Sequence, residues 1–418
     1  MKLNFLKIII YFLRSLDKRF KVMLIAIGLY SWASNLTSKY NQLYITALGA
    51  NPLELGSLNS VGGIVNSIIS APIGSFVDRY GVKKAIIMGL ILSAIVSTIY
   101  SCATNWLMII PAIILTQVSF RMIIPLTDII FIETSRPKSR AQAMGLSRTV
   151  WAIPSILAPM IAAIIVSTFG GINDKGIRPL YVLQLISTLL IISLIIFMLE
   201  EPHIQHNVIN KSRRITIIRD FRELFKGEKW LREWIIIMSL WRFGASIAMP
   251  FIPLWMVNVK GADPYILGIM STAGLITSAL LQIPMGTLAD KIGRKKIFFL
   301  LRPFSYLGTL FLVFAPDPKL LILVGILGAL GLMDGLASVS FIPFITMYWE
   351  TVPAEKRGRW FGFTGILNVL TVPASIIGGL LWQIGLKEFV LLLPVLIEVL
   401  GIVPLLIRIP DTLDLGMK

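Results

Sequence analysis

Read from the amino end, the chain alternates long apolar runs with short polar interruptions. Twelve runs are long enough to be helices crossing about 30 Å of hydrocarbon, which takes roughly 20 apolar residues each. They fall at 22–46, 53–77, 84–103, 106–134, 142–169 and 179–200, then at 232–258, 265–289, 296–315, 319–349, 359–384 and 388–408. The longest polar stretch, Glu200 to Arg232, holds eight Lys/Arg and reads as a linker with a short surface helix at Arg219–Phe225. The pattern predicts an all-α membrane protein of twelve transmembrane helices. Residues 1–21 would be an interfacial amphipathic N-terminus, 22–200 a first six-helix half, 201–231 the linker, 232–408 a second half and 409–418 a tail. The apolar run Ile8–Leu13 is too short to span, and no small-residue cleavage site follows it, so a signal peptide is not expected.

The two halves are related by sequence. Gly49–Lys84 (GANPLELGSLNSVGGIVNSIISAPIGSFVDRYGVKK) realigns on Gly261–Lys296 (GADPYILGIMSTAGLITSALLQIPMGTLADKIGRKK) at a constant shift of 212, matching Pro52 with Pro264, Gly74 with Gly286, Asp78 with Asp290 and Gly81 with Gly293. A second pair, Glu133–Gly145 and Glu350–Gly362, aligns at a shift of 217. Both halves start on the same side, so the repeat is a parallel one, about an axis along the membrane normal.

Composition fits this reading: 56% of residues are hydrophobic and 15% charged, with a mean hydropathy of +0.81. A net charge of +17 would suggest nucleic acid were it not for its distribution. Of the 39 Lys/Arg, 29 fall in alternating loops and termini on one side, 5 on the other and 5 inside spans; the acids divide 14, 5 and 3. By the positive-inside rule the 29-residue side is cytoplasmic and carries both termini. A multi-pass protein of the cell membrane is expected, with lipid as its surroundings and no nucleic-acid partner. The single cysteine, Cys102, has no disulfide partner in the chain, and no Cys/His cluster has metal spacing. His203 and His206 read as solvated loop residues. No cofactor, no metal and no enzymatic centre are expected, because no span carries a paired-histidine or nucleophile–base arrangement.

The loops GSFVDRYGVKK and GTLADKIGRKK resemble the signature G-x-L-A-D-R-x-G-R-K-x of the major facilitator superfamily, once in each half. Physically, Asp78 and Asp290 sit where the negative end of a helix dipole disfavours a carboxylate unless cations hold it. Arg79, Lys83 and Lys84, or Lys291, Arg294 and Lys295, are placed to do so. Gly81 and Gly293 permit the turn, and Gly74 and Gly286 close helix packing. Glu133 with Arg140, and Glu350 with Arg357, share an E-x6-R spacing similar to that of the superfamily's sugar porters. The resemblance implies that these charges and the loop aspartates form a cytoplasmic latch holding the outward-open state; solvated surface pairs are the plainer alternative. The first copy has Val82 where an arginine is expected, so the weaker latch should be there.

Two subfamily signatures divide. The fourth-span motif of proton-coupled drug exporters is absent, with Ile113 at its expected start. The fifth-span antiporter motif survives in degenerate form at Ala158–Ala163 around Pro159, which leans towards export and reads equally as small-residue packing beside a proline kink.

Ionisable residues within spans are costly and each is a site hypothesis. The resemblance places the first, fourth, seventh and tenth spans around a central cavity, which collects Lys39, Arg121, Arg242 and Asp334, all but Lys39 near mid-depth. Asp128, two turns after Arg121, is expected to pair with it through water or substrate. Asp334 is the first proton-coupling candidate and Asp128 the second, since a partly dry carboxylate takes up a proton more readily. A pair between Arg121 and Asp334 across the halves is the structural alternative. Three bases and two acids suit anionic or zwitterionic cargo, and Trp32 with Trp241 would wall an amphipathic one. Arg302 and Glu398 are expected to form a structural ion pair at the back of the second half, and Arg148 to snorkel to the cytoplasmic surface.

The leading function is alternating-access secondary transport driven by an ion gradient, since no nucleotide-binding loop exists. Proton-coupled export of small organic molecules comes first and uptake of a sugar or organic anion second. A transporter-like receptor or scaffold is the alternative of another class. Nothing in the sequence points to oligomerisation, and a monomer is expected.

Overall fold

The protein is described by a computed structural model over residues 17–69, 73, 76–77, 79–134, 140–199, 230–332, 334–352, 360, 369 and 371–412, without the side chains of 132–133 and 140–145. The proposed N-terminal interfacial segment up to residue 16 and the linker helix at Arg219–Phe225 lie outside the described residues. Among those described, all regular structure is helical. Eight helices are long and apolar enough to cross a membrane, and they coincide with the third to ninth and the twelfth apolar runs. Their lipid-side positions stay uncovered by protein: Phe197 is 85% exposed, Ile283 76% and Leu400 74%, as a bilayer solvent requires.

Several helix starts on one face of the bundle are fixed by a short polar cap. Asn51 and Glu54 form a reciprocal capping box ahead of Pro52–Ile68, and Asp263 accepts from the Ile266 N–H ahead of Pro264–Ile292. Asn105 and Asp317, again 212 apart, accept from Leu107 and Lys319 N–H groups. The internal repeat therefore extends to individual capping bonds. This face, with its short connections, is called the short-loop face; the other, with Gly81 and Gly293, is the basic face. At the start of Lys18–Ser38 on the basic face, Asp17 accepts from Arg19, whose bonded guanidinium holds the Asp17 carboxyl below its ordinary value.

Three runs expected to be continuous helices are broken. The first, 22–46, consists of Lys18–Ser38 and Asn41–Ala47, joined by a turn in which Tyr40 N–H donates to Thr37 O. Its counterpart turn in the seventh run follows Leu231–Ala248, where Phe251 N–H donates to Ala248 O beside Pro250. The tenth run, 319–349, is split more deeply into Leu321–Leu327 and Gly335–Thr351. Gly328, Gly331 and Gly335 there take φ of +74°, +92° and +59°, backbone that only glycine adopts cheaply. The break is also packed too closely for a side chain: a Cβ on Gly335 would lie 2.3 Å from the carbonyl oxygens of Gly325 and Ile326. Thr309 Oγ1 accepts from Leu330 N–H, satisfying one backbone donor that the break releases.

Buried side chains gather into large cores arranged as a wedge. One, at the short-loop end, mixes both halves: Tyr44, Leu55 and Ala162 from the first with Phe251, Leu267 and Trp382 from the second. At the basic end the cores are separate, one around Phe20, Val82, Phe131 and Ile195, the other around Trp234, Phe298, Phe344 and Leu406. The halves join where the second run meets the eleventh and the fifth meets the eighth. A Cβ on Gly56 would fall 2.3 Å from Ser375 O, and one on Gly268 2.8 Å from Ala163 Cβ. Ser60 Oγ donates to Val372 O at 2.6 Å and Thr272 Oγ1 to Ile156 O at 3.1 Å. Ala158, Ala162 and Ala163 of the degenerate motif are fully buried, and Gly268 packs against Pro159, Met160 and Ala163, so the packing account of that motif is realised. Gly286, expected to allow close packing, has nothing described within 4 Å of where a Cβ would stand. Among the described residues nothing uses the close approach that this glycine permits.

The contrast between these glycines is testable by thermal unfolding in detergent. Gly335→Ala should destabilise by about 1–3 kcal/mol through its left-handed backbone alone, more with the clash. Gly286→Ala should leave the melting temperature unchanged or raise it, since alanine is favoured over glycine in a helix by roughly 0.5–1 kcal/mol.

Candidate functional site

The broken first and tenth runs bring two charges together. Lys39 ends Lys18–Ser38 and Asp334 precedes Gly335–Thr351, so each sits at the helix end whose dipole favours it. The Lys39 ammonium donates to Asp334 Oδ2, an ion pair joining the two halves with side chains 21% and 13% exposed. Asp334 occupies the capping position of its helix but makes no side-chain capping bond; its carboxylate reaches Lys39 instead. The cross-half pair weighed from sequence, Arg121 with Asp334, is thus replaced by Lys39 with Asp334.

Arg121 and Asp128 do not pair either. Arg121 Nε donates to Asn66 Oδ1 of the second run at 2.9 Å, and Asp128 is held by Arg148 at 2.9 Å. Arg148, expected to reach the cytoplasmic surface, is exposed and donates to Asp128 on the neighbouring helix. Arg242 and Arg121 are close enough to interact electrostatically across the halves. Asn66 was missed from sequence, being one uncharged polar residue among many in its run.

A cavity of about 280 Å³ lies in the second half between the seventh, tenth and twelfth runs. Trp241 and Phe341 stack on its wall with centroids 4.9 Å apart and an interplanar angle of 24°, and Arg242, Ser246 and Met249 also line it. Trp32 is not among its lining residues and packs instead against the core shared by both halves. The two tryptophans therefore do not form one wall.

Arg302 and Glu398 form the expected ion pair, buried and bidentate. Tyr306 donates to Glu398 Oε1 at 2.9 Å, and Arg302 Nη1 donates to Ser340 Oγ at 3.1 Å. Tyr306, one turn after Arg302 on the same face, could have been found from its i, i+4 spacing. The pair is not remote from the interior, because both residues reach the cavity wall.

The signature loops are described to different extents, the second copy almost completely. In the second copy Arg294 bridges Asp290 at 3.2 Å and Glu350 at 2.7 Å, while Thr412 donates to Glu350 Oε2 at 2.6 Å. Asp411 accepts from the Arg294 and Lys295 N–H groups, capping Arg294–Phe314 against Gly293, whose φ is +119°. Lys295 does not hold Asp290, as expected from sequence; its ammonium donates to the Ile407 and Ile409 carbonyls that end the twelfth run. Its repeat partner Lys83 does the same to Ile196 O of the sixth run, at 3.4 Å. Lys291 is exposed. In the first copy Arg79 lies over Tyr80, Gly81 has φ +86°, and Val82, in place of the network's central arginine, is buried. Gly74, Asp78 and Arg357, with the side chains of Glu133 and Arg140, lie outside the described residues.

A bundle of apolar helices with charges at broken helices and a core shared by both halves at one end is that of a multi-pass membrane protein. Residues 23–372 and 234–414 match the family model described as Major Facilitator Superfamily. The chain belongs to the major facilitator superfamily, a family of transporters rather than enzymes. It is 24% identical over 238 residues to Multidrug resistance protein 2 of Bacillus subtilis (strain 168), covering 56% of this chain and 57% of that one. It is 22% identical over 335 residues to an uncharacterized MFS-type transporter of Methanocaldococcus jannaschii, covering 78% and 81%. Among solved structures, it superposes on the nucleoside transporter NupG with a TM-score of 0.72 at 13% identity, covering 94% of this chain and all of that one. A D-xylose–proton symporter superposes with 0.67 at 13%, over 94% and 98%.

The Arg302–Glu398 pair yields a stability prediction. Arg302→Met alone should cost about 3–5 kcal/mol by stranding a buried carboxylate, whereas Arg302→Met with Glu398→Leu should be close to neutral. Melting temperatures of the single and double variants in detergent check this.

Proposed function

We propose that the chain is a secondary active transporter working by alternating access, exporting small organic molecules from the cell in exchange for protons. On this reading the chain crosses the cell membrane twelve times as a monomer, with halves at 22–200 and 232–408 and both termini in the cytoplasm. It needs no cofactor beyond the coupling ion. The basic face is then cytoplasmic, as the charge distribution favours, and the wedge faces inward. The observation that carries the proposal is the arrangement of the cores: one shared at the short-loop end, two separate at the basic end, with the Lys39–Asp334 pair bridging the halves.

Opening to the outside requires the halves to part at the short-loop end, which breaks that pair. Separating two half-buried charges is expensive unless one is neutralised. A proton arriving on Asp334 removes the carboxylate charge and releases Lys39. The basic ends then close, and the open space beside Gly286 receives a neighbouring helix. The Arg294–Glu350 network and its counterpart around Asp78, Glu133 and Arg140 act as the cytoplasmic latch of the closed state. Asp128, paired with Arg148, is the second candidate to carry a proton. Export is supported by similarity to a multidrug resistance protein.

A second reading, uptake of a hydroxylated solute such as a sugar, is favoured by one feature. A pocket of about 100 Å³ in the first half is lined by Asn41, Asn59, Thr116 and Gln117, groups that both donate and accept.

Flux measured in proteoliposomes tests the proposal. Wild type should move organic solutes faster under an imposed pH gradient, and Asp334→Asn should lose the gradient dependence while retaining exchange. Wild-type flux indifferent to pH would overturn the coupling, and no flux of any solute tried would favour a receptor. Labelling of single cysteines introduced at 211 and 416 should place both on the cytoplasmic side.

A further inference from the structure

We propose that the groove between the fifth and sixth runs, at the short-loop end, binds an anionic phospholipid. Lys175 and Arg178 hold its phosphate, and an acyl chain lies along the groove. Such a site is independent of the transport reading and requires only that the chain be a membrane protein.

The groove encloses about 480 Å³. Its lining comes from Arg140–Thr168, the turn after it and Asp174–Met198, with Ile165, Phe169, Val182 and Leu183 as the apolar walls. Phe169 and Val182 are exposed, and so are Ile186 and Leu189. Val182, Ile186 and Leu189 follow at i, i+4 and i+7 and share one face of the sixth run, so the apolar wall continues along the helix. Asp174–Met198 has 25 residues, or about 37 Å of helix against roughly 30 Å of hydrocarbon. Its first turn, with both basic residues, therefore stands at the boundary between acyl chains and headgroups.

The rim of the groove is built to hold one negative charge. Arg178 Nη2 donates to Ala103 O at 2.9 Å and Arg178 Nε to the Tyr44 hydroxyl at 3.5 Å, which ties the guanidinium to the third and first runs. Among the described residues no hydrogen bond uses its Nη1, and Lys175, which is exposed, has neither hydrogen bond nor ion pair. Asp174 stands 3.8 Å from Arg178 Nη2, longer than a hydrogen bond. Two cations and one carboxylate leave a charge of +1 at the rim, which a single phosphodiester neutralises. The turn that carries Lys175 is closed by its own bonds: Asn173 Nδ2 donates to Gly170 O at 2.7 Å, and Asn173 Oδ1 accepts from Gly176 N–H at 2.8 Å. A Cβ on Gly176 would lie 2.0 Å from Gly171 O, so this backbone has no room to shift. A free anion would satisfy the rim and leave the apolar groove uncovered; a phospholipid satisfies both. At the 212-residue shift of the repeat, Lys175 corresponds to Lys387 but Arg178 to Val390, which is fully buried. The second half has one cation where the first has two, and its lysine serves as the control.

The test is native mass spectrometry of the detergent-purified full chain titrated with dioleoyl-phosphatidylglycerol or dioleoyl-phosphatidylcholine, which share their chains and differ in net charge. Phosphatidylglycerol is expected to bind about tenfold tighter or more, because each basic group beside a lipid headgroup contributes roughly fivefold. Lys175→Gln should weaken it by about fivefold, and Asp174→Asn should tighten it by a similar factor. Lys175→Gln with Arg178→Gln should bring the two lipids to equal affinity; should that variant melt as an unfolded protein, Lys175→Gln and Asp174→Asn alone decide the outcome. Val182→Trp, which fills the groove and alters no charge, should lower the occupancy of both lipids, and Lys387→Gln should change neither. Equal affinity of the wild type for the two lipids, or a loss in Lys387→Gln as large as that in Lys175→Gln, would overturn the inference. Displacement of the lipid by an equal concentration of inorganic phosphate would make the rim a site for a free anion and overturn it as well.

Discussion

The structure depends on keeping Lys39 and Asp334 together in the middle of a bundle that otherwise has little reason to bury charge. Neither residue could reach the other from an unbroken helix. The turn after Ser38 places the ammonium at the negative end of one helix, and the glycine-built break before Gly335 places the carboxylate at the positive end of another. Both helix dipoles and the ion pair therefore act in the same sense. The shared core around Tyr44, Phe251 and Trp382 holds the halves at that end, and the pair specifies how they meet. An apolar contact tolerates sliding; a charge pair in a low dielectric does not.

The two halves divide the remaining work unequally. Features that repeat belong to the frame: the Asn51/Asp263 and Asn105/Asp317 caps, the turns at Tyr40 and Phe251, and Lys83 and Lys295 closing the carbonyl ends of the sixth and twelfth runs. Features that do not repeat are the chemically distinctive ones. Arg294 centres a network of Asp290, Glu350 and Thr412, while Val82 is simply a buried apolar residue. The stacked Trp241–Phe341 wall and the Arg302–Glu398–Tyr306 cluster exist only in the second half, and the carboxamide-lined pocket only in the first. A duplicated frame supplies two similar halves, and the unpaired departures give each a chemically different interior.

Close packing and open space are complementary in the same way. Gly56 and Gly268 sit where opposing backbones touch, at the end where the halves are joined. Gly286, towards the other end, has no described atom within 4 Å of where a Cβ would stand.

Much of this was legible in the sequence. The apolar runs located the eight helices long enough to cross a membrane because hydrocarbon imposes a length, and the 212-residue shift exposed the repeat because paired loops must make paired turns. The buried Arg302–Glu398 pair was foreseeable because neither charge survives alone in a bilayer. The partners of the other charges were not. Asp128 went to Arg148 rather than Arg121, and Asp334 to Lys39, because each choice depends on which neighbouring helix stands within a few ångströms. The break in the tenth run, too, was hidden in G-x-x-G-x-x-x-G, a pattern that hydropathy reads as apolar helix. The sequence by itself determined the solvent, the helices, their duplication and the sidedness of charge, since these follow from composition and period. Only the tertiary structure decided the ion-pair partners, the helix breaks and the open end, since those are set by contacts between segments far apart along the chain.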